Sequence, residues 1–499
     1  MNGLTDRLGG LAVLLAGVLS VAAFAPFGWY PVVFFALAIL FNQWLNDTPR
    51  QAFLHGALFG LGFFGAGVSW VYVSVQVYGH VAVLPALLVT ILFVLVLALF
   101  PALLGYVLRK AFAADTWAVL VLVFPAGWTL SEWLRGWVFT GFPWLNLGTG
   151  QIDSPLAGYA PVLGVYGTGW AVALTAAALL AALRRQQVVA SVLGVTLLWG
   201  GGYLFGRMEW TQPYDRGLQV RLVQGNIAQE DKWAPENMLN TLTRYLELTA
   251  AGADSDLIVW PETAIPAFYH QVEDNLIPHL QSEMQAAGAT LLTGIPVLDR
   301  SAWKYYNAVV TLGAEPAFYY KRHLVAFGEY LPLRGLLGTS LDALAVPNAD
   351  FSQGDVRQPP LQAAGYAVGT SICFEVAFPE EIIKALPEAA LLVNVSNDAW
   401  FGNSLAPHQH LEMARMRAKE TGRPMLRATN TGISAIIAHD GRIQARSPQF
   451  AEAVVTGRIV PRQGATPYVR TGNWPVVIVC ALLLVLVRIS VRLRPGEND

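Results

Sequence analysis

Hydrophobic positions follow one another almost without interruption from Leu8 to Phe205, where the only charges are Asp47, Arg50, Arg109, Lys110, Asp115, Glu132, Arg135, Asp153, Arg184 and Arg185. From Arg207 to Arg470 polar and apolar residues alternate at ordinary density, and Trp474–Val487 is apolar again. A bilayer-crossing helix needs about 20 apolar residues. The first stretch therefore divides into candidate spans near 9–26, 29–45, 52–76, 81–108, 116–136, 160–183 and 188–206, with another at 474–491. The pattern predicts about seven transmembrane helices over 1–210, a globular insert over 218–465 and a closing helix at 474–492, about eight spans in all.

Within the insert the period shortens to that of strands interleaved with amphipathic helices. Strands are expected at Leu218–Gln224, Asp256–Trp260, Thr290–Ile295, Tyr306–Leu312, Pro316–Tyr320, Val368–Ile372 and Ala389–Val395, with more from Met425 to near Val460. Asp440-Gly441 is a hairpin signal. Helices are expected at 240–251, 271–287 and 406–421. Helices covering sheets make this an α/β layered sandwich.

Composition sharpens the division. At 54% hydrophobic and 13% charged, the chain is too apolar for an ordinary soluble protein. A net charge of −2 with no basic stripe argues against a nucleic-acid partner. If the N-terminus is cytoplasmic, the cytoplasmic loops carry Arg50, Arg109, Lys110, Arg184 and Arg185, and the tail carries Arg492 and Arg494. The opposite loops carry only Arg135, a positive-inside pattern that puts the insert on the outer face. Ala22-Ala-Phe-Ala25 has the look of a signal cleavage site, but the long apolar run and Pro26 favour retention of the first segment. Glu132 and Arg135, among interfacial tryptophans, are expected at the outer rim, helping a lipid headgroup or the insert to dock.

Three strands of the insert end in reactive groups: Glu262 after Trp260-Pro261, Lys321 after Tyr320, and Cys373 after Ile372. Alone, each has a plain reading as a solvated strand tip or a small core residue. Together, carboxylate, ammonium and thiol form a set for acyl transfer. The carboxylate serves as base, and the ammonium favours the thiolate, lowering its pKa by about 1–3 units. The same ammonium stabilises an oxyanion, a contact worth roughly 10²–10³ in rate. Cys480 lies in the last apolar segment, away from Cys373, so no disulfide is expected. His408-Gln-His410 lacks a third metal ligand, and Asn397-Asp398 and Asn430-Thr-Gly432 read as turns and structural hydrogen bonds rather than catalysts.

Trp260-Pro-Glu-Thr-Ala264, Tyr320-Lys-Arg-His-Leu-Val-Ala-Phe-Gly-Glu-Tyr-Leu-Pro332, Ile372-Cys-Phe-Glu375 and Asn394-Val-Ser-Asn-Asp-Ala-Trp-Phe-Gly402 resemble the nitrilase superfamily. With the framing spans, Thr140–Leu145 and Pro407–Gly432, the whole chain is similar to its membrane-embedded branch, the bacterial apolipoprotein N-acyltransferases. The resemblance implies an αββα sandwich with Glu262 as general base, Lys321 as oxyanion and thiolate stabiliser and Cys373 as nucleophile. It makes Glu329 a supporting carboxylate near Lys321, and has Trp233, Phe374 and Glu375 line or hold the pocket. Phe374 stands where the family commonly has Tyr, and Ala326 where Pro is frequent. No cofactor or metal is implied.

The implied reaction is a ping-pong transfer through a Cys thioester. The donor is a phospholipid, typically phosphatidylethanolamine, and the acceptor is the α-amine of a lipoprotein's diacylglyceryl-cysteine. The outer face offers no ATP or acyl-CoA, which independently favours a lipid ester as donor. The apolar loop Phe327–Leu337, with Phe327, Tyr330, Leu336 and Leu337, is expected to act as a lid that keeps water from the thioester. The chain is expected to work as a monomer. Two other readings remain: a membrane-anchored amidohydrolase with water as acceptor, and a transporter, for which mid-membrane charge pairs or broken helices would be needed.

Overall fold

A computed structural model describes residues 2–250, 254–313, 315–330 and 351–492. The chain divides into two compact units, one of Met1–Tyr72, Val83–Met208 and Arg470–Asp499, the other of Val73–Ala82 with Glu209–Val469.

The first unit is helical. Among the described residues, Val83–Ala111, Pro155–Leu183, Val188–Gly206 and Trp474–Val491 are long and apolar enough to cross a membrane, four spans, or up to five if Pro49–Gly67 and its bent continuation Val71–Tyr78 are one. Leu8–Ala23 and Val32–Asn46 are shorter apolar helices. The expected 116–136 span ends in a helix at Phe124–Arg135. Leu84, Leu88, Ile91 and Leu92 stay exposed along one helix, as Val189, Leu193 and Leu197 do on another. That much uncovered leucine and valine suits lipid rather than water. Where helices cross, Gly62 lies so close to the Leu14 carbonyl that a Cβ would collide with it.

Glu132 and Arg135 do not sit at an exposed rim. Both are buried, and Arg135 donates to the carbonyls of Phe142 and Trp144, each at 2.6 Å, and to Asn146 Oδ1 at 2.7 Å. Glu132 Oε1 accepts from the Leu147 amide at 2.9 Å. The chain from 142 to 147 is irregular, so its polar backbone groups need internal partners wherever water is excluded. The two charges supply them.

Among the described residues the second unit holds fourteen strands: β1 (Gln212–Pro213), β2 (Leu218–Gln224), β3 (Leu257–Val259), β4 (Thr290–Asp299), β5 (Lys304–Leu312), β6 (Ala317–Tyr320), β7 (Leu361–Ala363), β8 (Tyr366–Ile372), β9 (Leu391–Ser396), β10 (Met425–Thr429), β11 (Ala435–Ile437), β12 (Ile443–Arg446), β13 (Ala453–Ile459) and β14 (Arg462–Gln463). They form two six-stranded sheets, ordered β13-β2-β3-β4-β5-β6 and β12-β11-β10-β9-β8-β7, while β1 pairs with β14. Alternation along each strand builds the layers. Leu257 and Val259 of β3, and Leu391, Val393 and Val395 of β9, share the core between the sheets. Ile258 and Trp260 face the other way, onto Leu242 and Tyr245 of helix Met238–Ala250 and Leu280 and Met284 of helix Leu276–Ala287. Leu392 and Met425 meet Leu411, Ala414 and Ala418 of helix Ala406–Thr421. The result is an αββα sandwich.

Strand direction then places the chemistry. β2, β3 and β4 are parallel, and β6 returns to that direction after antiparallel β5. β8, β9 and β10 are parallel in the other sheet. Carboxyl ends of such strands are where α/β sheets open to ligands.

Candidate active site

Glu262, Lys321 and Cys373 follow β3, β6 and β8, and each is fixed by its backbone. Glu262 comes out of a bend that Gly294 of β4 permits, since a Cβ there would collide with the Thr263 amide. The Lys321 amide donates to the Asn307 carbonyl at 2.8 Å, extending the β5–β6 ladder by one residue. Cys373 turns the chain from β8 into a short helical turn with φ +52°, a left-handed conformation. For a side chain other than glycine that conformation costs about 1–3 kcal/mol, and such residues cluster at functional sites. Cys373 is partly buried, Glu262 8% exposed and Lys321 1% exposed.

Lys321 Nζ lies 2.7 Å from Glu329 Oε1 and 3.8 Å from Glu262 Oε1. Burial alone would push this ammonium down. Glu329 and Glu262, with Cys373, outweigh it and hold the lysine above its ordinary value. Glu262 keeps both oxygens occupied: Oε1 accepts from Asn307 Nδ2 at 2.7 Å, and Oε2 from the Asn397 amide at 2.8 Å. Glu329 also accepts from the Val325 amide at 2.8 Å.

The thiol departs from expectation. Lys321 does favour the thiolate, but burial and the Glu262 carboxylate weigh more, and Cys373 is pushed up to about 12. One ammonium shared among two carboxylates has little left for a third anion. At neutral pH the sulfur holds its proton, which makes a nearby base necessary rather than optional.

Glu375 faces away from this charge cluster and acts through structure. It is fully buried. Its Oε1 accepts from the Arg322 and His323 amides at 2.6 and 3.1 Å, and its Oε2 from the Ile372 amide at 2.7 Å and the Tyr319 hydroxyl at 2.9 Å. It thereby ties the chain just after Lys321 to the chain just before Cys373.

Two neighbours, Lys232 and Asn307, went unread in the sequence, and a third, Asn397, was read without its tie to Glu262. Lys232 is 4% exposed and donates to the Glu262 carbonyl at 3.0 Å, and burial lowers it to about 8 although Glu262 and Cys373 pull the other way. Asn307 bridges the two carboxylates, reaching Glu329 Oε1 at 3.3 Å. Asn397, read as a turn, gives Glu262 its backbone N–H. Asn307 had one visible signal, an amide inside an otherwise apolar strand.

The sequence family described as apolipoprotein N-acyltransferase N-terminal domain matches residues 16–178, and the one described as carbon-nitrogen hydrolase matches 219–468. An apolipoprotein N-acyltransferase of Methylococcus capsulatus is 50% identical over 473 residues, 94% of each chain. Others from Nitrosomonas europaea and Pseudomonas syringae are 45% and 42% identical, covering 95% of this chain and 96% and 95% of theirs. The chain belongs to the apolipoprotein N-acyltransferase family.

As a member of this family the protein is a multi-pass membrane enzyme, and the residues that resemblance assigned to its pocket differ in setting. Trp233, beside buried Lys232, is 45% exposed, and Phe327 is 50% exposed with φ +63°. Tyr330 is half-buried and its carbonyl accepts from the Phe327 amide at 2.8 Å, closing a tight loop around Glu329. Phe374 is half-buried and packs edge-on to Phe378 at 5.0 Å, a contact that needs no hydroxyl. Leu336 and Leu337 lie outside the described residues.

Proposed function

We propose that the protein moves a fatty acyl chain from a phospholipid, phosphatidylethanolamine in the first instance, to the N-terminal amine of a lipoprotein's S-diacylglyceryl-cysteine. The observation that carries the reading is a buried carboxylate–ammonium pair, Glu262 and Lys321, electrostatically coupled to one partly exposed thiol. Glu262 takes the thiol proton as the Cys373 sulfur attacks the ester carbonyl, and Lys321 stabilises the oxyanion. The C–O bond breaks, the lysophospholipid alkoxide receives that proton from Glu262, and the acyl chain remains as a thioester. The acceptor amine then attacks, gives a proton to Glu262, and forms the amide. The C–S bond breaks and the sulfur takes the proton back.

Trp233, Phe374, Phe327 and Tyr330 line the path of the acyl chains, the last two at the start of the lid loop, while Glu329 and Glu375 hold Lys321 and the turn. About eight spans in 1–210 and 474–492 flank a catalytic domain at 218–465. That domain lies on the periplasmic side of the inner membrane, a reading supported by the distribution of Lys and Arg among the loops. The protein acts as a monomer.

Intact-protein mass after incubation with phospholipid tests the scheme. The wild type gains one fatty acyl mass that hydroxylamine removes, and an amine-bearing acceptor consumes it. Cys373→Ala gains nothing, and Cys373→Ser at most a slowly turning ester. Product formed by Cys373→Ala sinks the proposal, and consumption of the adduct by water as fast as by the amine replaces it with an amidohydrolase.

A further inference from the structure

Cys373 begins a turn, so its carbonyl leaves the strand ladder and needs another donor. Two buried side chains supply one each. His410 Nε2 lies 3.1 Å from the Cys373 oxygen, and Asn394 Nδ2 lies 3.3 Å from it. His410 stands on helix Ala406–Thr421 and Asn394 on β9, and neither is exposed. Arg427 on β10 braces both, contacting Asn394 Oδ1 and lying 2.9 Å from His410 Nδ1. Asp398 neutralises Arg427 at 2.8 Å and accepts from the Ser396 hydroxyl at 2.7 Å.

The Cys373 carbonyl can only accept, so the Nε2 that faces it carries a proton. Nδ1 lies 2.9 Å from the Arg427 guanidinium and 3.1 Å from Asp398 Oδ1. Burial, with Arg427, outweighs the opposite pull of Asp398 and lowers the ring below its ordinary value.

We infer that His410 is a positioning residue for acyl transfer: its Nε2–H, with Asn394, clamps the Cys373 carbonyl and so holds the left-handed turn that aims the sulfur. Four polar side chains gathered in an apolar interior are costly unless each has a partner, and here two of them, His410 and Asn394, meet at the Cys373 carbonyl, while Asn394 also donates to the Ser371 carbonyl and hydroxyl at 3.4 and 3.0 Å. The inference rests on Cys373 as the acyl-accepting sulfur.

The test uses the full chain in phospholipid-containing detergent micelles, comparing His410→Gln, His410→Asn and His410→Leu. Single-turnover acylation is followed by intact mass, together with KM for phospholipid and the melting temperature. Leu is expected to slow acylation by about 10²-fold, the penalty of a misaimed nucleophile, with KM within about twofold of wild type. Gln can place its amide N–H where Nε2–H was and is expected to recover to within about tenfold of wild type. Asn is one methylene too short and is expected to behave like Leu. Equal rates for Gln and Asn, or wild-type rates for all three, overturn the clamp, and if Leu fails to fold, the Gln–Asn comparison decides. Alkylation of Cys373 by iodoacetamide in the same set separates this inference from the proposed function. A wild type that takes no acyl chain refutes the latter, while alkylation still faster in Gln than in Asn supports the clamp and equal alkylation refutes it.

Discussion

Lys321 is a counter-ion in the structure and a catalytic group in the proposed scheme, and the two roles can be pulled apart. At an effective dielectric near 20, its attraction to Glu329 at 2.7 Å is about 6 kcal/mol and to Glu262 at 3.8 Å about 4 kcal/mol, before desolvation is subtracted. Removing one member of such a buried cluster typically costs about 3–5 kcal/mol, because the remaining charges stay buried without a partner. Lys321→Met is therefore expected to lower the melting temperature of the catalytic domain by about 6–20 °C, at about 2–4 °C per kcal/mol. It should also reduce acyl transfer by at least about 10²–10³-fold. Adding Glu329→Gln leaves Glu262 with its bonds from Asn307 and Asn397 and removes the second stranded carboxylate. The double variant should regain most of the lost stability and none of the activity. Thermal melts and single-turnover acylation on the three proteins give the answer. If Glu329→Gln restores turnover along with stability, Lys321 is only a counter-ion; if Lys321→Met melts with the wild type, the buried cluster is not what holds the site.

Further outcomes follow from the same geometry. With Cys373 held up to about 12, its alkylation by iodoacetamide should rise about tenfold per pH unit from pH 7 to 10, and a plateau below pH 9 would contradict that. Glu262→Gln removes one cause of the raised value, so it should alkylate faster than wild type at a given pH while transferring acyl groups more slowly; slower alkylation would reverse the assigned sign. Lys321 is held above its ordinary value, so its stabilising contribution is complete below about pH 10 and lost only as pH climbs through the folded value; a loss between pH 6 and 9 in melts would count against it. Burial opposes the Asp398 charge, but Arg427 and His410 outweigh burial and hold this carboxyl well below the usual range. Asp398→Asn should thus destabilise at pH 7, with the gap from wild type narrowing below about pH 4. Glu375→Gln turns an amide N–H toward backbone donors and should cost about 2–3 kcal/mol in denaturant melts. Leu336→Ser with Leu337→Ser should slow turnover without lowering the melting temperature, and unchanged rates would remove the lid from the scheme.

Periodicity made the sandwich readable because each strand shows its faces: Leu257 and Val259 against Ile258 and Trp260 is the whole inner–outer division in four residues. The ends of β3, β6 and β8 were readable for a related reason, since a charged or reactive residue after an apolar run has nowhere to go but the tip. Residues whose importance depends on a partner far along the chain were not readable. Asn307 sits 45 positions from Glu262, and Asn397 contributes a backbone amide, which no side-chain pattern reveals. Glu132 and Arg135 misled because charge beside tryptophan commonly means an interface. Only the fold shows the carbonyls of Phe142 and Trp144 that Arg135 serves and the Leu147 amide that Glu132 accepts from. The thiol misled for another reason: a lysine nearby lowers a cysteine only if the lysine is not already taken, and its partners Glu262 and Glu329 come from different loops.

The sharing of Lys321 between two carboxylates shapes how the proposed acyl transfer would run. Around Lys321 lie two carboxylates and a thiol, with the buried Lys232 at the Glu262 carbonyl beside them. A free thiolate would add a third anion to a buried cluster, which the raised value for Cys373 forbids at neutral pH. Passing the proton from sulfur to Glu262 leaves the total unchanged and merely exchanges which neighbour of Lys321 is charged. As the sulfur attacks, its charge passes to the oxyanion, again close to the same ammonium. Each later step, alkoxide departure, amine attack and sulfur release, can return or collect one proton at Glu262 without altering the count. A site arranged in this way discourages the sulfur from reacting until an ester carbonyl is in place to receive its charge. In the proposed scheme a thioester waits for a second lipid while water is nearby, and there that restraint matters as much as the speed of attack.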